Sequence, residues 1–170
     1  LNKHKYYLNP KSGKNYGKMV TGYQKIKSDH YYFDTSNGKM KSNTAIKISG
    51  RLYYFYSSGK AVKKKGWFKG SDKGKRYCTS TGGKVATGTK KISGIYYQFS
   101  TSTGICTKVL GDTYDRQAQS KSSSTKYLIQ VIKSKAQVRV YYGSKNNWNK
   151  KYTFKCAYNS SATSTGTFKR

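Results

Sequence analysis

Apolar residues along this chain come in short bursts, and the bursts repeat. Aromatic clusters stand at Tyr6-Tyr7-Leu8, Tyr31-Tyr32-Phe33, Tyr53-Tyr54-Phe55, Arg76-Tyr77-Cys78 and Tyr96-Tyr97-Gln98-Phe99, with offsets between first members of 25, 22, 23 and 20 residues. A period of about 20 to 50 residues marks an array of small stacked units. Within a unit the parts keep one order. A short apolar segment, such as Ile46-Lys47-Ile48 or Lys91-Ile92, precedes a Ser-Gly pair, Ser49-Gly50 or Ser93-Gly94. That pair supplies the positive φ a tight hairpin turn requires. The aromatic strand follows, and a loop then closes on Gly38, Gly59, Gly83 or Gly104, usually before a lysine and a small apolar residue.

Strand alternation sets Tyr53 and Phe55 on one face and Tyr54 on the other. An isolated two-stranded hairpin is marginal in water, so one face of each must pack on its neighbour. The architecture expected is all-β: a solenoid of stacked β-hairpin repeats, stabilised at the interfaces between neighbours, followed by a partial β domain.

The pattern changes after the repeats. Residues 111–125, GDTYDRQAQSKSSST, are polar, serine-rich and without periodicity, and read as a linker. Beyond them KYLIQVIKS, AQVRVYY and KYTFKCAY, the last two separated by the polar turn GSKNNWNK, predict three strands of a different β domain. The division expected is therefore repeats over 1–110, a linker over 111–125 and a partial domain over 126–170. The chain opens at Leu1 and closes at Arg170 inside a strand-like pattern. Both ends are expected to be cuts, with room for a signal peptide upstream.

Composition narrows the partners. Hydrophobic residues make up 34% of the chain, and 18 tyrosines supply much of that fraction, which argues against one large core. Tyrosine suits surfaces half packed and half wet. With 35 Lys and Arg against 5 acids, all of them Asp, the net charge is +30, and the partner expected is a polyanion. Only Arg51, Arg76, Arg116, Arg139 and Arg170 carry the guanidinium fork that reads phosphates bidentately. Nucleic acid, which the charge and the stackable tyrosines would serve, is accordingly the weaker alternative, beside a non-enzymatic adhesin. No stretch approaches the roughly 18 consecutive apolar residues of a membrane span.

Reactive side chains are few and scattered. Cys78, Cys106 and Cys156 fit neither a zinc pairing nor an even disulfide set and read as small buried hydrophobes, Cys156 as an inward-facing residue of the strand Tyr152, Phe154, Cys156. His4 and His30 have no visible converging partners, so no metal site and no general base is assigned. The five Asp offer no carboxylate pair for glycoside hydrolysis, and no cofactor is implied.

The segments HYYFDTSNGKM, RLYYFYSSGKAV and GWFKGSDKGKRYCTSTGGKVATG resemble the cell-wall-binding and choline-binding repeat family over about residues 5 to 109. The resemblance implies a secreted, wall-associated protein whose exposed rings hold a wall glycan or teichoic acid polymer. Its binding residues would be Trp67 with Tyr31, Tyr32, Tyr53, Tyr54, Tyr77, Tyr96 and Tyr97. Choline cages in that family use aromatic rings around a quaternary ammonium, where Trp is best. Here Trp67 alone stands at the Trp position, with Ile26, Ile48 and Ile92 at the apparent equivalents, a composition better suited to sugar faces and polymer phosphates.

KYLIQVIKSKAQVRVYYG and STGTFKR are similar to the opening of the L,D-transpeptidase (YkuD-like) domain. That resemblance implies a parent acyltransferase with a Cys nucleophile that cross-links peptidoglycan stem peptides. The family's catalytic His and Cys lie in a downstream Ser-His-Gly segment absent from this sequence, so no residue here is assigned a catalytic role.

Overall fold

A computed structural model describes residues 4–157, and STGTFKR lies outside the described residues. The described chain is all-β apart from one short helix and one 3₁₀ turn. It divides into two units: residues up to Lys90 with Tyr97–Val109, and Lys91–Tyr96 with the chain from Leu110 onward.

The first unit is a succession of antiparallel hairpins. Strands β1 (Gly22–Ile26) and β2 (Asp29–Phe33) pair, then β3 (Thr44–Ile48) and β4 (Arg51–Phe55), then β5 (Gly66–Lys69) and β6 (Lys75–Cys78). Strands β7 (Gly88–Ile92), β8 (Ile95–Phe99) and β9 (Cys106–Gly111) follow in a sheet of order β7-β8-β9, of which Lys91–Tyr96 and the chain from Leu110 count with the second unit. The Ser-Gly turns form as the sequence requires: φ is +46° at Ser49 and +76° at Gly50, and +48° at Ser93 and +84° at Gly94. Positive φ at both central residues gives the turn whose twist matches that of the flanking strands.

The glycine-closed loops stack the hairpins. Each returning segment pairs with the aromatic strand it has just left and with that of the hairpin before. Ala61 bridges Phe55, while its N–H donates to the His30 carbonyl at 2.8 Å. Val85 bridges Cys78, and its N–H donates to the Leu52 carbonyl at 2.9 Å. The lysine-flanked small residues and the glycines then interlock from loop to loop. A Cβ on Gly59 would strike the Met40 side chain, and one on Gly83 would lie 2.6 Å from the Ala61 Cβ. The core of this unit comprises Leu52, Tyr54, Val62, Cys78 and Val85, with Phe68 packed against it.

Register corrects one sequence expectation. Tyr23 faces Tyr32, Ala45 faces Tyr54 and Trp67 faces Tyr77, so Tyr23 and Ala45 are the true counterparts of Trp67. Ile26 and Ile48 instead close their strands opposite Asp29 and Arg51. The misalignment comes from the third hairpin, whose connection runs from Gly70 to Gly74 where the others turn on two residues.

The second unit holds α1 (Thr113–Gln119), β10 (Tyr127–Ile132), a 3₁₀ turn (Lys133–Lys135), β11 (Gln137–Tyr142) and β12 (Asn149–Lys155), with strand order β10-β11-β12. The three strands stand where the sequence predicted them. The stretch read as a linker differs, because it contains α1. Asp112 caps the helix by accepting from the N–H groups of Tyr114 and Asp115, and the Asp115 carboxylate accepts from the Asp112 N–H in return. This reciprocal cap satisfies backbone donors that water would otherwise hold. Ala118 then joins Leu128, Tyr141 and Trp148 in a core.

Under the helix lies a charge network. Arg139, 5% exposed, donates to Asp112 at 2.8 Å and to Asp115 at 2.7 Å. The Tyr141 hydroxyl donates to Asp115 at 2.8 Å, and Lys150 reaches the same carboxylate at 2.9 Å. On the other face of the sheet Tyr127, Ile129, Val131, Tyr152 and Phe154 are exposed. The inward orientation expected for the Tyr152, Phe154, Cys156 row is therefore reversed for its first two members. Cys156 follows β12 and is half-buried, its N–H donating to the Ala136 carbonyl at 2.9 Å.

Candidate functional site

The register that aligns Tyr23 with Trp67 creates the same aromatic arrangement twice. The second residue of one hairpin's first strand meets the third and fifth residues of the next hairpin's second strand. At β5 and β8, Trp67 lies 4.8 Å from Tyr97 at an interplanar angle of 70°, and 5.8 Å from Phe99. Tyr77 closes one side edge-on, 5.3 Å from Trp67. At β1 and β4, Tyr23 lies 5.1 Å from Tyr53 and 6.4 Å from Phe55. Phe55 and Phe99 are wholly buried and form the floors, while Trp67, Tyr97, Tyr23 and Tyr53 are half-buried. Angled rings of this kind give both a hydrophobic surface and a negative π face.

The residue diagonal to the first-strand ring differs between the two notches. His30 stacks on Tyr23 at 5.3 Å and 10°. At the corresponding place Lys75 sets its ammonium 4.5 Å from the centroid of the Trp67 ring. The Tyr23 hydroxyl donates to the Gly82 carbonyl at 2.5 Å, and burial, with a smaller contribution from neighbouring Tyr53, pushes its pKa up to about 12. Tyr23 therefore stays a neutral donor, and its ring orientation is fixed by a loop more than fifty positions away in sequence.

Between these two notches the first-strand ring is missing. Ala45 stands where a ring would be, and Arg76, 2% exposed, lays its guanidinium 4.4 Å from the centroid of Tyr54. Both Asp72 oxygens hold Arg76, at 2.7 and 2.6 Å, and its Nε donates to the Thr103 carbonyl at 2.8 Å. The Arg76 guanidinium in turn keeps the Asp72 carboxyl down at about 2. Tyr54 itself is 1% exposed, and its hydroxyl accepts from the Ser71 N–H at 2.9 Å.

The remaining tyrosines singled out from the sequence are more dispersed. Tyr32 is half-buried 6.3 Å from Phe55, at the border of the Tyr23 notch. Tyr31 stacks on Phe33 at 6.4 Å, with Tyr7 on the same Phe33. Tyr96 is faced by Arg116 at 4.5 Å and by Lys91 at 5.2 Å. The structure thus brings Trp67, Tyr77 and Tyr97 together and sets Tyr53 against Tyr23 and Tyr32 against Phe55, while Tyr31, Tyr54 and Tyr96 lie elsewhere. Sequence reasoning missed Tyr23, His30, Lys75, Phe55 and Phe99. Gly22-Tyr23 could have been found, since it repeats Gly66-Trp67.

Among the described residues no cluster of His, Cys, Asp or Glu is arranged to hold a metal ion, and no helix is long and apolar enough to cross a membrane. Cys78 is buried, and burial pushes its thiol upward, away from the reactive thiolate.

No protein-family model matches the chain, and no curated protein matches it. Several solved structures are similar to it, and they are structures of choline-binding proteins and phage endolysins. CbpJ from Streptococcus pneumoniae TIGR4 is 28% identical, with a TM-score of 0.46 over 62% of this chain and 33% of that one. Choline binding protein F from Streptococcus pneumoniae, solved in the presence of a peptidoglycan analogue, is 28% identical, with a TM-score of 0.47 over 62% of this chain and 32% of that one. A multimodular pneumococcal cell wall endolysin from phage Cp-1, complexed with choline, is 18% identical, with a TM-score of 0.38 over 82% of this chain and 37% of that one. The chain spans about a third of the length of these proteins.

Proposed function

We propose that this chain is a cell-wall-binding module that lays a glycan or teichoic acid polymer along its hairpin repeats. The observation that supports this reading is the repeated notch, Tyr23 with Tyr53 over Phe55 and Trp67 with Tyr97 over Phe99. A surface built only to close a core has no need to hold two rings half open at the same register. A polymer with a repeating unit, in contrast, engages such notches one after another, and linked weak contacts add up to firm retention. Trp67, Tyr23, Tyr53, Tyr77 and Tyr97 take the apolar faces of the ligand, and Tyr32 borders the Tyr23 notch. Tyr54 supports the array from inside.

The charge of +30 supplies the second element of recognition. Lysines spread over the repeats meet the phosphates of an anionic wall polymer and release its counterions. The protein acts outside the cell, on the wall.

The finer reading is that residues 126–170 open the catalytic domain of a longer L,D-transpeptidase, which the repeats hold near its peptidoglycan stem peptides. The likeness of KYLIQVIKSKAQVRVYYG to that domain's opening supports it. Acyl transfer between stem peptides by the full-length protein tests this reading, and its absence there counts against it.

Co-sedimentation tests the binding function. The protein is expected to pellet with purified Gram-positive walls, less with walls stripped of teichoic acid, and to prefer both over duplex DNA at equal salt. Equal or stronger retention on DNA would favour a nucleic-acid-binding protein instead.

A further inference from the structure

The two open notches are not equivalent, and the difference lies in Lys75. Its ammonium is 4.5 Å from the centroid of the Trp67 ring, the face on which a ligand's cation would rest. No carboxylate pairs with Lys75 among the described residues. Its cross-strand partner is Lys69, and like charges directly opposite repel. Among the described residues the Trp67 ring is thus the attraction for a charge that no carboxylate pairs. In the middle hairpin Ala45 stands at the Trp67 place and Leu52 at the Lys75 place, so ring and cation are both missing there. In the Tyr23 notch the corresponding residue is His30, a ring rather than an ammonium on a long stem.

We infer that Lys75 is a specificity-determining residue: it occupies the cation seat of the Trp67 notch, turning that notch against quaternary ammonium groups and toward neutral sugar faces beside phosphate. The inference rests on the notches being ligand sites, as proposed above. A ligand cation entering the Trp67 notch must displace the lysine and then sit beside its positive charge. A sugar ring needs only the open edges of Trp67 and Tyr97, and a phosphate gains from the ammonium nearby.

Titration of the intact protein with choline chloride and with a neutral N-acetylglucosamine tetrasaccharide, followed by calorimetry and tryptophan emission, tests this. Lys75→Gln removes the charge from an exposed side chain and is expected to leave the fold intact. The variant is predicted to bind choline about tenfold more tightly than the natural protein, the scale of one cation–π contact, and its preference for choline over the tetrasaccharide rises at least as much. Choline affinity that is unchanged or weakened in Lys75→Gln overturns the assignment. Trp67→Ala separates this outcome from failure of the binding reading: if Trp67→Ala binds walls and tetrasaccharide as the natural protein does, the notch is not a ligand site at all.

Discussion

At the scale of single residues, the acids behave as a class. Asp29, Asp34, Asp72, Asp112 and Asp115 are all the acids in the chain, and each forms an ion pair. Exposed pairs of this kind contribute little. Asp112 and Asp115 are different, because they lie against the buried Arg139. Hydrogen bonds from Arg139 hold the Asp112 carboxyl far below the usual carboxylate range. Burial raises Asp115, but Lys150, Tyr141 and the helix backbone outweigh it, so its pKa also falls. A carboxylate depressed in the folded state contributes stability that is complete above its unfolded pKa of about 3.9 and is lost as pH falls through the folded value. The second unit is therefore expected to keep its full stability down to about pH 4 and to lose stability progressively in stronger acid. The readout is the emission of Trp148, buried in that core. A urea midpoint read by Trp148 that is the same at pH 2 as at pH 6 would show that the network contributes nothing. None of this was legible beforehand: Asp112 and Asp115 sat in a stretch read as a linker, and Trp148 in a polar turn. Their roles depend on a cap and on partners more than twenty positions away.

At the scale of the element, the sequence spoke most clearly where the backbone was constrained. Ser49-Gly50 and Ser93-Gly94 announced their turns, and Gly38, Gly59, Gly83 and Gly104 marked the loop closures, all with positive φ. What the pattern could not give was the partner of each glycine, which comes from the preceding unit. Gly83 is the sharpest case, with φ at +86° and a Cβ position 2.6 Å from that of Ala61 and 3.3 Å from the Val62 nitrogen. Gly83→Ala is expected to destabilise the first unit by about 1–3 kcal/mol from backbone strain alone, with the contact adding to it. Gly50→Ala has the strain but open space around it, and should cost less. Urea titrations of both variants check the order, and an equal loss would mean that the loops do not interlock. The notches show the same limit. Trp67 stood out by its residue type, whereas Tyr23 was hidden because alignment from the turn misplaces it. Lys75 and Arg76 are adjacent cations in sequence, yet one lies over the half-buried ring of Trp67 and the other over the buried ring of Tyr54.

At the scale of the whole chain, an all-β array rich in tyrosine and lysine was readable from period and composition, because hairpins of this size have no other way to bury an apolar face. On the proposed reading two sources of affinity act together, a diffuse positive charge and a pair of aromatic notches. Salt distinguishes them. Binding that rests only on phosphate contacts loses about a thousandfold or more between about 50 and 200 mM salt when several phosphates are neutralised. Contacts between rings and sugar faces are largely insensitive to it. The direct test of the account is the retention of the protein on purified walls as salt is raised, compared with a Tyr23→Ala/Trp67→Ala variant of unchanged β-sheet spectrum. The natural protein should remain bound at salt that releases the variant; release of both at the same salt would contradict the claim that the notches hold the polymer.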